Sequence, residues 1–339
     1  MKRALGTSLL TVEPLGLGCM GLSEFYGPPT EEHAAIALLH EAIAAGVDHF
    51  DTAESYGLGS ANETLLGKAL AGRREQVVLA TKFGPMRDPV TGVRGGLDGS
   101  RANCRRAVEG SLRRLGTHYI DLYYLHRVDP NTPIEVTVAA MVELVAEGKV
   151  RAIGLSEASG STIRRAAKVH PIAAVQSEYS IFSRDIEVDV LPACREVGAS
   201  LVAYSPLGRG LLTGHFTADS KPGNTDFRGV MQPRFAGSAY AANLALVQEI
   251  ARVAEAIGLA SNAGADTPVL PAQVALAWVL GRGNDIVAIP GTTRSRNLHD
   301  NLGAYRVELT ASQLERLNML ADQVQGTRYD EAGMARLNG

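Results

Sequence analysis

Along the chain, short apolar runs rich in β-branched residues alternate with longer segments in which apolar positions recur three and four apart. The runs are LGLGCM (15–20), GVDHFD (46–51), QVVLATK (76–82), IDLYYLH (120–126), VRAIGLS (150–156), IAAVQSE (172–178), SLVAYS (200–205) and IVAIP (286–290). Between them, EEHAAIALLHEAIAAG and RANCRRAVEGSLRRLG keep the helical period and leave on glycine, the residue that ends a helix at no steric cost. Strands alternating with helices predict repeated βα units and a parallel sheet covered by its helices. Eight strands with eight helices predict an α/β fold of the (β/α)8 TIM barrel type, a single domain over residues 1–339, with its active site at the C-terminal rim of the strands.

An open doubly wound sheet is the alternative, and Gly16-Leu17-Gly18-Cys19-Met20-Gly21 matches its G-x-G-x-x-G marker. That marker needs a helix opening at its third glycine. Here Leu22-Ser23-Glu24-Phe25-Tyr26-Gly27-Pro28-Pro29 follows, and a glycine before two prolines marks a loop. The glycines are instead expected to let the backbone approach a ligand at the barrel mouth.

Composition narrows the class. With 45% hydrophobic and 20% charged residues the chain can fill a large core, and wholesale disorder is excluded. A net charge of −3 argues against a nucleic-acid surface, so small molecules are the expected partners. The opening MKRALGTSLLTVEPLG is too interrupted for a signal peptide, and no run approaches the roughly 18 apolar residues of a membrane span. A cytoplasmic protein without membrane contact is expected. Cys19, Cys104 and Cys194 are scattered without metal-ligand spacing and are read as reduced thiols, and no metal site is expected. Nothing in the sequence specifies a number of subunits.

In a barrel the strand ends share one rim, so they can be read as one site. The runs end on Asp51, Lys82, His126, Ser156, Gln176, Tyr204-Ser205 and Pro290-Gly291-Thr292. A carboxylate or an ammonium alone at the end of an apolar strand costs several kcal/mol, and Asp51 and Lys82 on adjacent strands relieve each other. Tyr56, in the turn after Asp51, leans over the same rim; an ammonium beside a phenol stabilises phenolate and is expected to lower its pKa. His126 could hydrogen-bond a substrate oxygen. Singly, Asp51 reads as a helix cap and Lys82 or Tyr56 as a solvated side chain. Together they suit a reaction that protonates an oxygen. Met20, Phe25, Tyr26 and Phe83 follow strand ends one and three, giving a substrate pocket with an apolar wall and little charge beyond Arg127.

FDTAESYG, ATKFG, DLYYLHRVDP, GLSE, VQSEYS, VAYSPLGRGLLTG and IPGTTRSRNLHDNL, in this order, resemble the aldo-keto reductase superfamily from end to end. The opening LGLGCMG and closing RYDEAGMARLNG are most similar to its bacterial and plant branch of auxin-induced and perakine-reductase-like proteins. The resemblance implies a TIM barrel that reduces aldehydes and ketones reversibly, with NADPH/NADP+ as cofactor, hydride from nicotinamide C4 and a proton from Tyr56. It implies a catalytic tetrad of Asp51, Tyr56, Lys82 and His126. By the same matching, Gly18, Cys19 and Met20 border the cofactor, Ser156 and Gln176 hold the carboxamide, and Tyr204 stacks on the nicotinamide. Ser205, Leu207 and Gly210 would line the pyrophosphate, Pro290, Gly291, Thr292 and Arg294 the adenosine end, and Asp300 and Asn301 the adenine. The stretch GLASNAGADTPVL (258–270) departs from the family pattern and reads as a surface insertion. A metal-dependent barrel hydrolase and a nicotinamide-redox-sensing subunit with little turnover are the competing classes.

Overall fold

The computed structural model describes residues 1–223, 226–260, 268–335 and 337. Eight parallel strands form one sheet: β1 (Leu17–Gly18), β2 (His49–Asp51), β3 (Val78–Phe83), β4 (Ile120–Leu125), β5 (Val150–Ser156), β6 (Ala174–Glu178), β7 (Ser200–Tyr204) and β8 (Ile286–Ile289). Their order in the sheet is their order in the chain, as repeated right-handed βα units require. The sheet then closes on itself, because Leu15 bridges Ala288 and Gly18 bridges Gly291 in parallel register. This is a (β/α)8 TIM barrel.

Closure explains the opening glycines. A Cβ on Gly18 would stand 2.8 Å from the Ile289 carbonyl oxygen, and one on Gly16 would stand 2.7 Å from that of His49. These glycines let neighbouring strands touch. No dinucleotide turn forms, since Met20–Leu22 is a single tight turn and the first long helix, α1, starts only at Glu32.

Alternation along the strands divides the core in two. Phe50, Leu79, Tyr123, Leu125, Ile153 and Leu201 point outward against the helices. Ala80, Leu122, Tyr124, Ala152, Ala174 and Val202 point into the barrel. Small residues dominate inside because eight strands leave room for little more. The helices supply the outer layer: α1 (Glu32–Ala44), α2 (Ala61–Ala69), α3 (Arg101–Leu115), α4 (Ile134–Ala146), α5 (Gly160–Ala167), α6 (Val190–Val197), α7 (Gly237–Ala260), α8 (Pro271–Leu280) and α9 (Ser295–Leu302). In α3, the Ser100 side chain accepts from the Asn103 N–H at the start and Gly116, at φ 62°, ends the helix, while Cys104, Ala107, Val108 and Leu115 bury the face between. Fully burying a side chain the size of Val108 or Leu115 contributes about 1.5–3 kcal/mol.

Three features lie outside the predicted pattern. A hairpin of Arg3–Ala4 with Thr11–Val12 feeds Leu5, Leu10 and Val12 into the inner cluster, and a second pairs Pro85–Arg87 with Arg94–Leu97. Both are too short to show a period. The supposed insertion at 258–270 begins inside α7, whose last turn holds Gly258–Ala260, and Val269 packs on the core. Residues 261–267 of that stretch lie outside the described residues.

Candidate active site

β2 and β3 place the first two groups. Asp51 pairs with Ala80, and Lys82 stands two residues further along the same face, so both side chains point into the barrel. Lys82 is fully buried and its Nζ donates to Asp51 Oδ1, to the Thr52 carbonyl at 2.8 Å and to the Tyr56 hydroxyl at 3.3 Å. All three ammonium N–H groups are thus used. Gln176 on β6 donates from Nε2 to Asp51 Oδ2 at 2.8 Å, so both carboxylate oxygens are satisfied.

Tyr56 owes its place to the turn after β2. Its N–H donates to the Ala53 carbonyl at 3.1 Å and its carbonyl accepts from Asn62 N at 3.2 Å. Asn62, buried in the first turn of α2, accepts from Thr52 Oγ1 at 2.6 Å and donates to the Cys19 carbonyl at 2.8 Å and to Ser23 Oγ at 2.7 Å. This amide ties the loops after β1 and β2 together. The sequence reading missed it, and only its position just after FDTAESYG could have pointed to it. His126, following β4, sets its ring edge-on to Tyr56 at 5.5 Å between centroids, with Nδ1 3.5 Å from Ser55 Oγ.

The charge states follow from burial. Burial pulls the Lys82 ammonium down, but Asp51 and Tyr56 outweigh it and leave its pKa raised. Burial pushes the Tyr56 phenol up, and the opposing influence of Lys82 is insufficient to reverse this, aided as burial is by Asp51. The expected lowering of the phenol pKa is therefore corrected: a neutral ammonium–carboxylate pair cannot offset loss of solvent. His126 is driven well below the ordinary imidazole value by burial, with Lys82, Arg127 and Arg94 adding to it. At neutral pH the site holds a protonated phenol, a neutral imidazole and a charged lysine.

The remaining rim residues divide into those that reach the mouth and those that do not. Cys19 and Phe83 do not. Cys19 is fully buried, its Sγ 3.5 Å from the Leu17 carbonyl, so only its backbone faces the rim. Phe83 is one residue past Lys82 and therefore points outward, stacked on Tyr123 at 5.1 Å. Phe83 is removed from the pocket by that alternation. Phe25 and Tyr26 lie in the loop after β1. Phe25, at φ 81°, meets Phe227 edge-on at 5.3 Å, and Tyr26 accepts from Arg209 Nη1 at 3.1 Å. Arg94 lies over Phe25 and Arg228 over Tyr26, so the wall is aromatic and cationic, not merely apolar. Met20 begins the tight turn beside them.

Ser156 is buried at the end of β5 and Tyr204 is half-buried at the end of β7. Ser205 and Arg209 carry positive φ angles of 47° and 56°, as does Glu157 at 53°, so three of the five described non-glycine residues with such a backbone follow β5 and β7. Leu207 is buried and Gly210 sits at φ 91°. After β8 the Pro290 carbonyl accepts from Gly18 N at 3.3 Å, and a Cβ on Gly291 would be 3.0 Å from the Gly18 oxygen, so both also serve closure. Thr292 Oγ1 accepts from Arg294 N at 3.1 Å. Arg294 is exposed, α9 starts after it without a side-chain cap, and among the described residues no carboxylate pairs with it. The Asp300 carbonyl accepts from Gln273 Nε2 at 3.0 Å, its carboxylate is 3.7 Å from Arg296, and Asn301 is buried.

A sequence model of the Aldo/keto reductase family matches residues 14–322. The chain belongs to that family. Among solved structures, this aldo/keto reductase is similar to a thermostable aldo-keto reductase in complex with the inhibitor epalrestat, at 30% identity over 94% of this chain and 99% of that one, TM-score 0.74. It is equally similar, at 30% identity over 97% and 98%, TM-score 0.75, to the holo form of an aldo-keto reductase from Bacillus halodurans. A glycerol dehydrogenase from Gluconobacter oxydans superposes with TM-score 0.83 at 26% identity over 97% and 98%. The protein is an oxidoreductase of this family, and membership implies NAD(P)H-dependent reduction of carbonyl compounds. Among the described residues, no group of metal-ligating side chains gathers and no helix is long and apolar enough to cross a membrane.

Proposed function

We propose that this aldo/keto reductase reduces aldehydes or ketones with NADPH and that Tyr56 is the proton donor. One observation carries the reading: Lys82 uses its third N–H on the Tyr56 oxygen, which leaves the phenol's own O–H to point away from the buried pair, toward the rim.

The rim fits a phosphorylated dinucleotide. The uncapped first turn of α9 presents free N–H groups beside the unpaired Arg294, which suits a phosphate and favours NADPH over NADH. Ser205, Leu207 and Gly210 would border the pyrophosphate, while Tyr204 and Ser156 would meet the nicotinamide. Gln176 gives one of its two amide N–H groups to Asp51, which leaves the other N–H and the carbonyl oxygen for the carboxamide. When bound, the reduced nicotinamide supplies the hydride that converts a carbonyl to an alcohol.

The chain's own residues do the rest. Tyr56, kept protonated by burial, holds a proton ready for the substrate oxygen. Lys82 steadies the tyrosinate that remains, and Asp51, held by Gln176, keeps Lys82 charged and oriented. His126, neutral and set against Tyr56, orients the carbonyl oxygen by a hydrogen bond. A panel of uncharged aldehydes and ketones with NADPH, followed by loss of cofactor absorbance, tests the reading. Turnover of none of them would reject it.

A further inference from the structure

The family match ends at residue 322, yet the chain continues across the barrel mouth, and nearly every residue from 325 to 329 is tied down. Asn243 exchanges two hydrogen bonds with the Gln325 backbone, at 2.9 and 3.0 Å. Arg234 Nε donates to the Gly326 carbonyl at 3.2 Å, and Gln232 Nε2 donates to that of Arg328 at 2.9 Å. Gly326, at φ 82°, turns the chain where a Cβ would stand 2.9 Å from Pro233.

Two consecutive side chains then enter the rim. Arg328, 3% exposed, grips Glu157 with two parallel bonds of 3.1 and 2.9 Å. The Tyr329 hydroxyl accepts from Arg209 Nη2 at 2.8 Å, which leaves its own hydrogen for the Tyr204 hydroxyl at 2.9 Å. Tyr204 and Glu157 lie close enough to influence each other's charge, and Tyr204 helps to hold the Glu157 carboxyl below its ordinary value. Tyr329 thus holds Tyr204, and Arg328 holds Glu157 beside it. Glu157 directly follows Ser156, and Tyr204 directly precedes Ser205, so these bonds fix the two strand ends read above as the nicotinamide end of the site.

We propose that the segment Val324–Ala335 is a clamp on the nicotinamide end of the cofactor site, with Tyr329 and Arg328 as positioning residues that fix Tyr204 and Glu157. This rests on the reading of the rim as an NADPH site. The clamp sets how long the nicotinamide half stays seated, while the adenosine end is held independently by the loop before α9.

The test uses Tyr329→Phe, which keeps the ring and removes one hydroxyl, and Arg328→Lys, which keeps the charge but cannot make two parallel bonds. NADPH binding is followed by its own emission, its release by displacement with excess NADP+, and binding of 2′,5′-ADP, which lacks nicotinamide, by calorimetry. In both variants NADPH release is expected to quicken about threefold to tenfold, the loss of one hydrogen bond, with 2′,5′-ADP affinity unchanged. Unchanged NADPH release in both folded variants overturns the clamp. Equal weakening of NADPH and 2′,5′-ADP also overturns it, because that marks a general loosening of the barrel. Failure of the wild-type chain to bind NADPH overturns the cofactor reading itself, and the clamp with it.

Discussion

Asp51–Lys82 and Glu157–Arg328 are both buried carboxylate–cation pairs at the barrel mouth, and they are built differently. The first joins residues 31 apart on adjacent strands, and among the described residues no second cation shares the carboxylate. The second joins residues 171 apart, and Arg127 Nη1 stands 3.9 Å from the same Glu157. Burying a charge is tolerable only when it is compensated. One pair therefore has no reserve and the other has one. The first also touches the phenol that does the chemistry, whereas the second acts at a distance through Tyr204.

The largest expected effect is on chemistry at the first pair. Tyr56→Phe should lower turnover by about 10²–10⁴-fold, the contribution of a positioned acid, with NADPH affinity nearly unchanged. Retention of a tenth of wild-type turnover would show that another group donates the proton. Next comes the test of reserve. Lys82→Met leaves Asp51 buried without a cation and should cost about 3–5 kcal/mol in chemical denaturation. Arg328→Met should cost less, about 1–3 kcal/mol, because Arg127 remains beside Glu157. Equal losses would erase the distinction between the two pairs.

The same contrast decides what was legible in the sequence. Asp51 and Lys82 could be read from apolar runs that end on charges, because strand period and barrel closure bring successive strand ends together. The period also implies that Phe83, adjacent to Lys82, faces the outer core; counting it in the pocket overlooked that alternation. Arg328 and Tyr329 lie in a segment without period, and nothing local shows that they meet Glu157 and Tyr204. The glycines of the first run were visible, but their reason was not. Gly18 answers to Ile289 across the closing seam, a contact that exists only once the barrel is complete.

Further from the chemistry, Arg294 should separate the two cofactors. Losing a charge-assisted contact to phosphate costs about 1.5–3 kcal/mol, so Arg294→Ala should weaken NADPH about tenfold or more and leave NADH unaffected. Fluorescence titration with both cofactors reads this directly. Equal losses would assign the 2′-phosphate to another residue.

The smallest effect concerns His126, whose environment belongs to both pairs, since Lys82 and Arg127 each disfavour its charged form after burial has done most of the work. Its folded pKa lies well below the ordinary imidazole value, so below about pH 6.5 the unfolded chain takes up a proton that the folded chain refuses. Stability therefore falls as pH drops below that value and is not affected by this group above it. His126→Asn cannot titrate, so its unfolding free energy should fall less steeply than that of the wild type between about pH 6.5 and pH 5. Other carboxylates and histidines contribute to both curves alike, and the difference isolates this ring. In the same window reduction of an aldehyde should show no limb from His126, because the imidazole stays neutral there while Tyr56 stays protonated. Parallel stability curves, together with an activity limb near pH 6.5, would mean that His126 takes up its proton as a solvated imidazole does and that the mouth is open to water at that point.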